Sequence, residues 1–242
     1  MPKPVFDIVS FESPQNYADL RRYQKELVEK RITDEIQDTI LFLEHSPVVT
    51  RGKGLQKTPE RKSRHCEVPV LPDGIDFSET DRGGDLTYHG PGQLVIYPII
   101  KLDGRNHLAT NNDIGLFIRN LENWIIDTLK IFYSIGGYHK KGASGVWVNE
   151  KKIASIGIAV KKNTTYHGIA INILNSLSPF HLFSPCGFSG ETMTSLKSLR
   201  PKSLEGVQNW RKKFESELIE SLNTHIESKR IPAIFETASI GG

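Results

Sequence analysis

Two short stretches hold most of the residues that could do chemistry. One is Pro185-Cys186-Gly187. A free cysteine is more often a small buried hydrophobe, but flanking Pro and Gly keep this thiol out of a regular element, so Cys186 is a candidate nucleophile. The other stretch is Arg82-Gly83-Gly84-Asp85-Leu86-Thr87-Tyr88-His89-Gly90-Pro91-Gly92-Gln93, which holds four of the chain's 20 glycines. Glycines let backbone approach a ligand or take positive φ. Arg82 offers a planar fork to an anion or carbonyl, and His89 can change charge near neutral pH. The bland alternative is a Gly-rich turn between two strands. The second thiol, Cys66, lies between His65 and Glu67 at the end of a basic loop and reads as incidental.

A thiol is only a few per cent thiolate at neutral pH, so a nucleophilic Cys186 needs a cationic neighbour. Two candidates are adjacent: Lys151 ends a hairpin turn expected at 149–151, and Lys152 opens a strand expected over 152–160. A second strand is expected over 165–173, joined through a turn at 161–164. Alternation places Ile153, Ser155, Gly157 and Ala159 on one face of the first strand. It places Gly168, Ala170 and Asn172 on one face of the second, with His167, Ile169, Ile171 and Ile173 opposite. Two neighbouring rows of small residues would floor a narrow groove suited to a linear chain. A helix packed closely against them would explain the same pattern.

The remaining elements must carry these groups. Strands are expected at 5–11, 39–43, 48–50, 68–70, 94–100 and 145–148. Helices are expected at about 16–30, with Leu20, Tyr23, Gln24 and Leu27 on one stripe, at 113–132, and at 204–227 with Val207 and Trp210 on its apolar face. Residues 51–66 read as an exposed basic loop containing Arg51, Lys53, Arg61, Lys62 and Arg64. The chain has 242 residues, 38% hydrophobic and 24% charged, with net charge +3. That suits a soluble globular protein and argues for neither nucleic acid nor a membrane. With no signal-peptide pattern at the N-terminus, a cytoplasmic location is expected. No linker is evident, so residues 1–242 read as a single domain.

Arg82-Gly83-Gly84-x-x-Thr87-Tyr88-His89-Gly90-Pro91-Gly92-Gln93 resembles the signature of the octanoyltransferases, the lipoate–protein ligase B family. The Glu44-His45-x-Pro47 run is similar to a family segment. So are Lys152-Ile153-Ala154-x-Ile156-Gly157, His167-Gly168-x-Ala170-x-Asn172, and Pro185-Cys186-Gly187 followed by Met193-Thr194-Ser195-Leu196. The resemblance covers roughly residues 40–200. It implies an α/β (α+β) fold of the biotin/lipoate protein ligase type, with one mixed, mostly antiparallel sheet flanked by helices. It implies transfer of an octanoyl group from acyl carrier protein, through a Cys186 thioester, to a lysine of a lipoyl domain, without metal or other cofactor. It assigns acyl contacts to Arg82, Gly83, Gly84, Asp85, Leu86, Thr87, Tyr88 and His89, to Ser155, Ile156 and Gly157, and to His167, Gly168, Ile169 and Ala170. The activating lysine is Lys152 by motif, whereas strand parity favours Lys151; a β-bulge, or a strand starting one residue later, would reconcile the two. Oxyanion donors would come from backbone N–H groups of the Gly-rich stretch or from His89.

Overall fold

The computed structural model describes residues 6–54, 70–105, 108, 110–183 and 190–230. Cys66, Cys186, most of the basic loop and residues 68–69 of the expected edge strand lie outside the described residues. Val70, which is described, is in no strand and is almost fully exposed.

The described residues form ten strands: β1 (Asp7–Ser10), β2 (Thr39–Leu43), β3 (Val48–Arg51), β4 (Asp76–Glu79), β5 (Leu86–His89), β6 (Gln93–Ile99), β7 (Tyr138–Lys140), β8 (Ala143–Val148), β9 (Lys151–Lys161) and β10 (Thr164–Asn172). Seven form one sheet in the order β1-β2-β6-β10-β9-β8-β7, and three form a second in the order β4-β3-β5. In the large sheet only β1 and β2 run parallel; every other pairing is antiparallel. The expected mixed, mostly antiparallel sheet is therefore present.

Two-residue period decides which side each helix covers. In β2, Leu41 and Leu43 face helix α1 (Tyr17–Ile32), whose Leu20, Leu27 and Val28 close that side with Val95, Tyr97, Ile99 and Ala170. Ile40 and Phe42 point the other way, into a larger core under α2 (Ile114–Tyr133) and α4 (Trp210–Arg230), shared with Leu94, Ile96, Ile169 and Ile171. A four-residue helix, α3 (Leu196–Leu199), precedes α4. Asn16 caps α1 by accepting from Ala18 N at 2.9 Å and Asp19 N at 3.2 Å. Asp113 caps α2 by accepting from Leu116 N at 2.9 Å.

Several boundaries differ from the sequence expectations for physical reasons. Asn149 and Glu150, and again Lys162 and Asn163, have paired positive φ values. Those are the two-residue hairpin turns whose twist matches antiparallel strands, so Lys151, Lys161 and Thr164 join strands instead of turns. Residues 86–89, expected as part of a glycine loop, form β5. Arg51 ends β3 and forms an ion pair with Glu79 instead of opening a loop. The last helix starts at Trp210, not 204: Pro201–Leu204 is a 3₁₀ turn and Gly206, at φ +70°, breaks the chain direction before it. Val207 consequently lies outside that helix.

Candidate active site

A cleft lies on the α1 side of the large sheet, between β6, β10 and β9 below and the segment 82–84 with β5 above. It is lined by Gly83, Gly84, Thr87, His89, Ser155 and Gly157, by Gly168 and Ala170, and by Lys152, Trp147 and Met193. The two rows of small residues meet in register: Gly157 pairs with Gly168, and Ser155 with Ala170. Val95, opposite Ala170, extends the floor. Among the described residues it is the glycine-rich segment, not a helix, that lies over the Gly157 row. Gly83 N donates to Ile158 O at 3.0 Å, and a Cβ on Gly157 would sit 2.8 Å from Gly83 O. Gly168 is bare for a different reason, since a Cβ there would overlap the Ile96 carbonyl oxygen of the neighbouring strand.

A β-bulge between β8 and β9 turns Lys152, not Lys151, toward the cleft. Gly145 pairs with Ser155 and Val146 with Ala154, but Trp147 then pairs with Lys152 and Val148 with Lys151. Ile153 is the extra residue. It leaves the small-residue face and is fully buried in the α2 core, which corrects its expected position. The shift rotates Lys152 onto the face of Ser155. Lys152 is buried and lines the cleft, whereas Lys151 is exposed. Gly145, at φ +126°, makes room for it, because a Cβ there would meet Lys152 Cε at 2.6 Å. Buried Glu122 holds this backbone, accepting from Gly145 N at 2.8 Å. Lys152 Nζ stands 5.8 Å from the Trp147 ring centroid. A bridge joins Lys152 to Met193, and Thr194 N donates to Lys152 O at 3.0 Å, so the chain following residues 184–189 runs beside Lys152.

Strand alternation in β5 divides its residues. Thr87 and His89 face the cleft; Leu86 and Tyr88 pack beneath the small sheet with Val49, Phe180 and Met193 and do not reach it. Asp85 lines an adjoining hollow instead, which shares Gly83, Gly84, Lys152 and Gly157 with the cleft. Ile156 and Ile169 line the cleft while belonging to the α2 side of the sheet. His167 was expected on that side too. At φ +56° it breaks alternation and lies on the α1 side, its ring 6.2 Å from Tyr97 and 5.0 Å from Tyr166. Gln24 Oε1 fixes it by accepting from His167 N at 2.8 Å.

Arg82 spends its fork on the protein. Nη2 donates to Thr50 O at 2.7 Å, Thr50 Oγ1 at 2.8 Å and Asp85 O at 2.7 Å, and Nη1 donates to Gly83 O at 2.9 Å. The guanidinium thereby clamps the glycine-rich segment to β3.

Burial sets the charge of the imidazoles. It pushes His45 down to about 4. His45 Nδ1 faces Gln15 O at 3.0 Å, and because a carbonyl only accepts, Nδ1 carries the proton and Nε2 accepts from Tyr97 Oη at 2.7 Å. Burial, then the nearby His45 and Arg82, hold His89 well below the usual imidazole value. His167 is also lowered, by burial, against the opposing pull of Asp81, whose Oδ1 lies 3.0 Å from Nε2. The hydrogen bond from His167 is the main cause that holds Asp81 far below the usual carboxylate range.

Tyr17, Val95, Tyr97, Trp147 and Thr192 line the cleft without having been singled out from the sequence, and Met193 does so from the segment that follows Cys186. For Val95 and Tyr97 the signal was present, since both share one face of β6. Tyr17, from the first turn of α1, carries no local signal.

The family model for the lipoyl protein ligase A/B catalytic domain matches residues 16–219. The chain belongs to that family. It is 41% identical over 194 residues to the octanoyltransferase of Dictyoglomus thermophilum, covering 78% of this chain and 76% of that one. It is 39% identical over 185 residues to the octanoyltransferase of Alkaliphilus metalliredigens, covering 76% and 80%. Among solved structures, a lipoate–protein ligase A bound with ATP superposes with TM-score 0.65 at 15% identity, over 93% of this chain and 86% of that one. A bipartite lipoate protein ligase of Thermoplasma acidophilum superposes with TM-score 0.56 at 13% identity, over 91% and 83%. These likenesses establish the shared fold.

Proposed function

We propose that this family member is an octanoyltransferase that works as a single catalytic domain in lipoate biosynthesis. It moves an octanoyl group from acyl carrier protein to the ε-amine of a lysine on lipoyl domains of 2-oxoacid dehydrogenase and glycine cleavage proteins. Cys186 attacks the donor thioester and becomes acylated; the lysine amine then attacks that thioester and the Cys186 thiolate leaves. Exchanging one thioester for another needs no ATP, and forming an amide from a thioester is downhill. Lys152 favours the thiolate by its charge. No helix among the described residues is long and apolar enough to cross a membrane.

The observation that supports this reading best is the bulge that brings Lys152 to one end of a cleft floored by Ser155, Gly157, Gly168 and Ala170. A lysine beside a groove floored by small side chains suits a linear acyl thioester. Backbone N–H groups along the glycine-rich segment are the candidate oxyanion donors. The competing reading is an ATP-using ligase, favoured by the shared fold. Incubating the protein with octanoyl-acyl carrier protein and a lipoyl domain, with and without ATP, separates them. Octanoyl transfer at the same rate in both arms is expected. Transfer from free octanoate that requires ATP would overturn the proposal.

A further inference from the structure

The tautomer of His89 is dictated by a chain of hydrogen bonds that ends on main-chain carbonyls. Asn172 Nδ2 donates to Thr194 O at 3.0 Å, so Asn172 Oδ1 faces the other way. That oxygen accepts from Gln93 Nε2 at 3.0 Å, and Gln93 Nε2 also donates to Tyr88 O at 3.1 Å. Carbonyl oxygens only accept, so neither amide can be turned round without setting two acceptors against each other. Gln93 Oε1 is left facing His89 Nδ1 at 2.8 Å, and Nδ1 must carry the proton. His89 Nε2 therefore has a bare lone pair. Among the described residues the one hydrogen bond of the His89 ring is made through Nδ1, and His89 lines the cleft.

The relay also has a location. Asn172 and Gln93 are a cross-strand pair at the end of the sheet where β9 begins. Thr194, at its far end, donates its own N–H to Lys152 O at 3.0 Å. His89 is thus wired to the Lys152 end of the cleft, not to the Gly157–Gly168 end. An octanoyl chain has no donor to offer a bare imidazole nitrogen. The attacking amine of the acceptor lysine does.

We propose that His89 is a catalytic base for the second half of the reaction, with Gln93 and Asn172 as positioning residues that fix its tautomer. The inference rests on the transfer reading above. As the lysine nitrogen bonds to the thioester carbon, its N–H proton passes to His89 Nε2. The C–S bond then breaks, and the departing thiolate recovers that proton from the imidazolium. A buried, weakly basic imidazole is sufficient, because the amine nitrogen becomes strongly acidic once it is bonded to carbon. The ring is neutral before each turnover, so it is ready to accept. This assignment makes His89 an acceptor and leaves the oxyanion to backbone N–H groups.

The test joins a spectroscopic readout to separated half-reactions. In the wild-type protein, ¹⁵N-histidine NMR should find the His89 ring protonated on Nδ1 and bare on Nε2. His89→Phe keeps the ring stacked on Tyr17 and removes the base. It should still take up one octanoyl group from octanoyl-acyl carrier protein by intact mass, but discharge it to a lipoyl domain about 10²-fold more slowly. Gln93→Met removes the acceptor of the Nδ1 proton. It should mix the two tautomers and slow discharge by a larger factor than adduct formation. A wild-type ring protonated on Nε2 overturns the proposal, as does discharge at the wild-type rate in His89→Phe. Should His89→Phe fail to fold, the wild-type tautomer and Gln93→Met decide. If the wild-type protein itself never carries an adduct, the thioester reading fails instead. His89 is then judged by its tautomer and by the overall rate of amide formation in His89→Phe, where no slowing overturns it.

Discussion

Replacing Arg82 separates a clamp from a substrate contact. Arg82→Met keeps the apolar stem and deletes the fork. Thr50 is fully buried, and its carbonyl and hydroxyl oxygens both lose donors. Thr50 O keeps its place in the ladder opposite Thr87, whereas the hydroxyl oxygen is left as a buried acceptor without its donor, at a cost of about 1–3 kcal/mol. The carbonyls of Gly83 and Asp85 also lose a partner, but they are nearer the surface, and water offsets much of that. Against a typical total of about 5–15 kcal/mol, the loss is large. With a urea m-value of about 2 kcal/mol/M, the unfolding midpoint should fall by about 0.5–1.5 M. Activity measured well below the transition should fall as well, because 82–84 forms the upper wall of the cleft. An unchanged urea midpoint with collapsed kcat/KM would refute this account, since it would mean that the fork serves substrate and not Thr50.

Other consequences can be checked alongside. Gly168→Ala should lower the melting temperature and impair transfer of every chain length alike, because the new Cβ meets the Ile96 carbonyl; Ala170→Leu should fold and discriminate against octanoyl more than against a four-carbon chain. Equal losses for all chain lengths in Ala170→Leu would put the acyl chain elsewhere. Lys152→Ala should raise the Cys186 thiol pKa and slow its alkylation at neutral pH, with Lys151→Ala near wild type; the reverse pattern would discard the role given to the bulge. Burial holds His45 at about 4 when folded against an ordinary value of 6.5, so the unfolded chain binds more protons between those values. His45 alone should therefore remove about 3 kcal/mol of stability as pH falls from 6.5 to 4, read as a falling urea midpoint. His89 and His167 are shifted in the same direction, and a flat midpoint over that range would contradict the buried, neutral imidazoles.

Periodicity was informative wherever one face of an element is buried. The stripe of α1, the apolar run of β2 and the β9–β10 hairpin all follow from it, and the pairing of Gly157 with Gly168 made the small-residue floor legible from two strands alone. What alternation could not show were its local failures. The bulge at Ile153 depends on how β8 meets β9, with Gly145 yielding to Lys152, and no residue of β9 announces it. The positive φ of His167 depends on Gln24, more than 100 residues earlier in the chain. Short strands such as β4 and β7 carry too few residues to show a period and exist because neighbours pair with them. Leu86 and Tyr88 sit inside a motif that reads as one unit, yet the two-residue period of β5 turns them away from Thr87 and His89. Arg82 lines the cleft as its type suggested, but its clamp was not legible, because the acceptors Thr50 O and Asp85 O are main-chain atoms that leave no trace in side-chain type.

The central claim is that the acyl group rests on Cys186 between donor and acceptor. Intact mass after incubation with octanoyl-acyl carrier protein, with no acceptor present, tests it most directly. One octanoyl adduct is expected on the wild-type protein and on Cys66→Ala, none on Cys186→Ala, and the adduct should disappear on adding a lipoyl domain as the amide appears. An adduct that persists in Cys186→Ala, or one that a lipoyl domain cannot discharge, would contradict the account.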